Sequence, residues 1–106
     1  MSGRFMRMMV FFDLPVATHE DRRHYSEFRR FLVKSGFMMM QESVYCKILQ
    51  NGTAVAAVAS AVRLHKPPKG LIQMMTVTEA QFARMEYVVG EKKSEIIDTD
   101  ERLVVL

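Results

Sequence analysis

The chain predicts an α+β fold, with helices packed on one side of an antiparallel sheet, and three observations predict it. Apolar runs of strand length and segments of helical periodicity follow one another as strand, helix, strand, strand, helix, strand. The helical segments open on capping residues and close at glycine or proline. The first strand is apolar on both sides, which is the pattern of a central strand covered on both faces.

That first strand lies within Phe5 to Pro15, FMRMMVFFDLP. With a side-chain period of two, Met6, Met8, Val10 and Phe12 share one side and Phe5, Arg7, Met9, Phe11 and Asp13 the other. Pro15 stops the strand just after it has delivered one carboxylate, Asp13. Thr18 then serves as an N-cap, with Asp21 at capping-box spacing and Glu20 and Asp21 in the first turn, so a helix over His19–Lys34 follows. Tyr25, Phe28, Phe31 and Leu32 recur at three- and four-residue steps and turn an apolar stripe toward the sheet. Opposite the stripe, Arg22 and Arg29 lie seven apart, as do Arg23 and Arg30, and Lys34 is four beyond Arg30. This basic ridge fits two roles: a solvated face laced with Glu20, Asp21 and Glu27, or a surface for phosphates.

Gly36 fits the helix C-cap, after which FMMMQESVYCKIL divides into a hairpin bent at Glu42 and Ser43. Asn51, Gly52 and Thr53 start a second helix, TAVAAVASAVRLH, whose inner face is Val55, Val58 and Val62 and which Pro67 and Pro68 close. Leu71–Val77 is the fourth strand. Thr78 caps a short helix, TEAQFARM, and Met85–Val89 is expected as a further extended piece. The order is that of the ferredoxin-like βαββαβ sandwich. Two helices cover only one sheet face, yet the first strand is apolar on both. The open face is therefore expected to meet a partner, most simply a second copy in a symmetric homodimer packed through the open sheet faces. The last residues, 91–106, are expected to form an acidic linker and an additional C-terminal strand. Its Arg102, Leu103, Val104, Val105 and Leu106 are expected to dock on the partner protomer and cover a sheet edge.

Composition narrows the function. One domain accounts for 106 residues with 49% apolar content. No run approaches the ~20 apolar residues of a membrane span, and the N-terminus lacks a signal-like apolar stretch, so a cytoplasmic location with no membrane partner is expected. Cys46 is the only cysteine, which excludes an internal disulfide and a cysteine-clustered metal site; a buried strand residue is its expected role. Residues 1–70 hold 11 Lys/Arg against 5 Asp/Glu, while residues 71–106 hold 4 against 7. A basic body attracts polyanions such as nucleic acid, and the acidic tail meets a basic surface or solubilises the chain. His19, His24 and His65 have no metal-ligand spacing, and no Gly-rich phosphate loop, Ser-His-Asp order or Cys-His pairing offers another catalytic centre.

The strand MRMMVFFDLP, the arginine-rich helix, GFMMMQESVY and LIQMMTVTEAQFARMEYVVGE together resemble the small dimeric CRISPR-associated protein that partners the CRISPR integrase in spacer acquisition. FDLP, the Q-x-SVY pair, the LTVTE-like segment, QFARM and the terminal DERLVVL resemble its type II-A branch in particular. The resemblance covers essentially the whole chain. It implies a ferredoxin-like homodimer that lies between two integrase dimers and supports the DNA duplex destined to become a spacer. The resemblance also implies a metal-dependent endonuclease acting on RNA or DNA, with Asp13 as catalytic residue and Mg²⁺ ligand. Arg22, Arg23, Arg29, Arg30 and Lys34 would then carry nucleic-acid binding. On the residues alone, Asp13 reads first as a strand-end or helix-approach hydrogen-bond acceptor, and Ser43 as a turn residue before a water-positioning one. A small-molecule-binding regulatory domain of the same fold remains the alternative function.

Overall fold

A single strand organises the sheet. In the computed structural model, which describes residues 5–91, β1 (Met6–Asp13) has neighbours on both edges. The others are β2 (Met38–Gln41), β3 (Val44–Leu49) and β4 (Leu71–Thr78), and the sheet order is β2-β3-β1-β4. All adjacent pairs are antiparallel. β1 pairs with β3 from Met6 opposite Leu49 to Phe11 opposite Val44, and with β4 from Met6 opposite Thr78 to Asp13 opposite Leu71. The hairpin bends at Glu42 and Ser43 as expected, with Ser43 at φ 69°, a left-handed conformation that a short polar residue in a tight turn tolerates.

Two helices, α1 (His19–Lys34) and α2 (Gly52–Leu64), cover the face of β1 that carries Met8, Val10 and Phe12. The expected capping box starts α1: Thr18 Oγ1 accepts from the Asp21 amide at 2.9 Å, and the Thr18 amide donates to Asp21 Oδ2 at 3.2 Å. Gly36, at φ 94°, ends it. Its amide donates to the Val33 carbonyl and the Phe37 amide to that of Leu32, which is the Schellman pattern. Phe28 and Leu32 of α1 and Val62 of α2 are buried against the strand, with Tyr25, Phe31, Val55 and Val58 packed around them. Phe12 is the hub of this core, edge-on to Tyr25 and Phe28 and stacked on Tyr45.

The second face differs from the expectation. A short third helix, α3 (Glu79–Ala83), capped by Thr78, turns back over it and covers Arg7. The sheet therefore has helical cover on one side and partial cover on the other, where Met9 and Cys46 are also buried. On this side the residues opposite Arg7, Met9, Cys46 and Asp13 stay open: Ile48, Met75, Met38 and Leu71 are all exposed. Met85–Val89 forms no strand; the chain leaves α3 in bends, with Val88 and Val89 almost fully exposed. The hydrogen-bonded turn of Arg84 and Met85 onto Gln81 and Phe82 directs this run away from the sheet. Of the linker and docking strand expected at 91–106, residues 92–106 lie outside the described residues. No helix among them is long and apolar enough to cross a membrane.

Candidate carboxylate site and basic helix

Asp13 is the last residue of β1 and is exposed. Side-chain alternation places it on the face of Arg7, Met9 and Phe11, away from α1 and α2. Three segments meet around it. Leu71 pairs with it from β4, and the Phe12 amide beside it donates to the Ser43 carbonyl at 3.0 Å, which brings the hairpin turn to the same end of the sheet. Gly70 supplies the close approach. A Cβ there would lie 2.9 Å from the Asp13 carbonyl oxygen and 2.6 Å from Leu14 Cδ2, and its φ of 101° is open chiefly to glycine. The Asp13 carboxylate makes no hydrogen bond or ion pair with the described residues, so both oxygens remain available. Among those residues no three His, Cys, Asp or Glu side chains cluster as a metal site.

The five cations of α1 divide by what they touch. Arg22 folds back on the preceding loop, its Nη1 donating to the carbonyls of Val16 and Ala17 at 3.1 and 3.2 Å. Arg23 lies between Glu20 at 3.7 Å and Glu27 at 3.4 Å. Arg29, Arg30 and Lys34 are exposed and engage no partner among the described residues. The structure does not bring this ridge to Asp13: the ridge points outward from the helical layer and Asp13 projects from the opposite sheet face.

Sequence reasoning missed two features. Arg7, only 3% exposed, donates from Nε and Nη2 to the two Glu79 oxygens at 2.8 Å each. Its Nη1 reaches Cys46 Sγ at 3.4 Å, and its guanidinium lies 4.0 Å from the centre of the Phe82 ring. The hydrogen-bonded guanidinium holds the Glu79 carboxyl below the usual range against the opposing cost of burial. An arginine near the start of an otherwise apolar strand was the available signal. The second feature is the segment 65–69, which lies along α1. His65 stacks on Phe31, with ring centres 4.0 Å apart, and Lys69 reaches Asp21 at 3.5 Å. The Asp21 carboxyl is held below its ordinary range, first by its hydrogen bond from the Thr18 backbone and more weakly by Lys69.

Comparison with known proteins bears on this site. The family model described as CRISPR associated protein Cas2 matches residues 6–85. The chain is 54% identical over 101 residues to a CRISPR-associated endoribonuclease Cas2 of Treponema denticola, covering 95% of this chain and all of that one. It is 48% identical to a protein of the same description from Streptococcus mutans, over 95% of this chain and 93% of the relative, and 43% identical to one from Lacticaseibacillus rhamnosus, over 95% and 100%.

Proposed function

Because the chain belongs to the Cas2 family of CRISPR-associated proteins, we propose that it acts in spacer acquisition as a homodimeric scaffold with a Mg²⁺-dependent endonuclease centre at Asp13. In the first role it binds protospacer duplex DNA and bridges two dimers of the CRISPR integrase. The carrying observation is that Asp13 shares its sheet face with exposed Met38, Ile48, Leu71 and Met75. Twofold pairing of this apolar face removes it from water and draws two Asp13 carboxylates toward one seam. Residues 102–106, from Arg102 to Leu106, dock on the partner in this reading.

An exposed carboxylate with both oxygens unspent suits a hard cation that keeps its waters and takes one or two carboxylates. When bound, Mg²⁺ polarises a phosphodiester and activates water. The chain's own contribution is positional. β1 fixes the height of Asp13, and Gly70 lets the β4 entry close against it. The names of the relatives favour RNA as the molecule cleaved. Duplex DNA falls to the outward face of α1, where Arg29, Arg30 and Lys34 are unspent, so binding and cleavage use opposite faces and are separable. The small-molecule alternative is weaker, since the cleft between α1 and segment 65–68 holds about 190 Å³, below the ~300 Å³ at which ligand pockets usually begin.

The test compares wild type, Asp13→Ala and the Arg29→Ala/Arg30→Ala pair for RNA and DNA cleavage in Mg²⁺, for duplex binding against salt, and for sedimentation. Asp13→Ala is expected to abolish cleavage while remaining dimeric, and the arginine pair to weaken duplex binding and flatten its salt dependence. Full cleavage by Asp13→Ala overturns the nuclease reading. A monomeric wild type overturns the shared seam.

A further inference from the structure

The helical layer carries a feature that neither the scaffold nor the nuclease reading uses. A surface cleft of about 190 Å³ opens between α1 and the segment 65–68, lined by His24, Glu27, Phe28, Phe31, His65, Lys66, Pro67 and Pro68. We propose that this cleft seats one unpaired nucleobase of a single-stranded nucleic acid. The proposal rests on the nucleic-acid reading above only for the class of ligand.

Size and lining set the occupant. A cavity of ~150 Å³ accepts a benzene ring, so this cleft takes one planar heterocycle and not a whole cofactor. Its walls offer flat surfaces: the parallel Phe31–His65 pair, inclined by only 12°, and two consecutive prolines. The imidazole is fixed before any ligand arrives. Its Nδ1 lies 2.8 Å from the Ala61 carbonyl, which can only accept, so Nδ1 carries the proton and Nε2 is left uncommitted by this bond. Aromatic and imidazole faces of this kind are what unpaired bases stack on in RNA- and single-strand-binding proteins.

Charge sets the orientation. Glu27 lines the cleft; its Oε2 accepts from Arg23, and its other oxygen suits an exocyclic amino group rather than a phosphate, so the base points inward and the phosphate outward. Lys66 lines the same cleft and is exposed. Helical spacing puts Arg30 and Lys34 in register with Glu27, on the strip beside His24, Phe28 and Phe31. These three cations suit a phosphate backbone passing the opening.

A second, narrower cleft lies beside the first. It shares His24 and Pro67 with the first and reaches Leu14 and Pro15, the two residues after Asp13.

The experiment uses the full chain and a short single-stranded oligonucleotide carrying 2-aminopurine, whose fluorescence is quenched on stacking, with the same probe inside a duplex for comparison. Binding is expected to quench the single-stranded probe. His65→Ala and Lys66→Glu are each expected to weaken that binding about tenfold, in the range of one stacked base, and to change duplex affinity less than twofold. Lys66 is exposed, so its variant tests the cleft without risk to folding, and thermal melting checks His65→Ala. Asp13→Ala is expected to leave the quenching unchanged, which separates this proposal from the nuclease reading. Wild-type binding by both variants overturns the seat. So does an absence of quenching, or displacement by a proline-rich peptide of a probe that neither variant affects, which makes the cleft a protein-docking groove.

Discussion

Truncating Glu79 to alanine should cost more stability than replacing its buried partner, Arg7, by methionine. Arg7 is 3% exposed and Glu79 37%, and two hydrogen bonds of 2.8 Å join them. At about 1.5–3 kcal/mol for each bond to a charged group, the pair starts from roughly 3–6 kcal/mol. More than a third of the carboxylate meets water, which screens it, and halving the figure leaves a cost of about 1.5–3 kcal/mol for Glu79→Ala. Arg7→Met behaves otherwise. It strands no charge in the interior, because Glu79 can rehydrate, and methionine refills much of the volume; the loss of the Phe82 contact leaves a cost of about 1 kcal/mol. For a domain of this size each kcal/mol moves the melting temperature by roughly 4–8 °C, so thermal unfolding at neutral pH separates the two variants. The pH dependence follows from the lowered Glu79 carboxyl. The folded-state value lies below the unfolded value of 4.5, so the stabilisation is complete above pH 4.5 and is lost as pH falls through the folded value. The gap between wild type and Glu79→Gln should close in that acid window. An Arg7→Met variant as unstable as Glu79→Ala would refute the clamp.

Three further outcomes are expected. Thr18→Ala removes the acceptor of the α1 capping box and should cost about 0.5–2 kcal/mol in urea unfolding. Because the Asp21 carboxyl is also lowered, its contribution is present above its ordinary 3.8 and disappears as pH falls below it, so the Asp21→Asn deficit should shrink there. The two glycines Gly70 and Gly52 should respond oppositely to alanine. Gly70→Ala meets Leu14 and the Asp13 carbonyl at positive φ and should lose about 2 kcal/mol or more, whereas Gly52→Ala, with open space at the start of α2, should gain about 0.4–1 kcal/mol.

Local chemistry made the order of elements legible before the structure. His19–Lys34 was bounded by a threonine cap at one end and Gly36 at the other, and both ends fall where those signals put them. The hairpin bend was equally clear, because Glu42 and Ser43 interrupt two apolar runs. Tertiary choices were less so. Alternation put Arg7 on the face away from the core, yet nothing local announces that Glu79, 72 residues later, returns to meet it. Met85–Val89 reads as a strand by composition, but strand pairing needs an open edge in reach, and the turn after α3 sends the run elsewhere. The same limit applies to the candidate site. Asp13 and the α1 arginines are close in sequence, but strand alternation and helix packing put them on opposite sides. The cleft at His65 was hidden because its walls come from two segments that only the fold brings together.

Placing the first strand at the middle of the sheet has a consequence for biosynthesis. β1 cannot be flanked on both sides until β4 has been made, a delay of some 72 residues, or roughly 4–15 s at bacterial elongation rates. Until β3 is made MRMMVFFD has no neighbour, and until β4 is made one of its edges stays open; an apolar segment of high β-propensity in that state is the kind of sequence that seeds association between nascent chains. Its only charges are Arg7 near one end and Asp13 at the other, which is where gatekeeper residues interrupt such segments. The arginine that the finished fold must bury and clamp thus guards the strand while the chain is still incomplete.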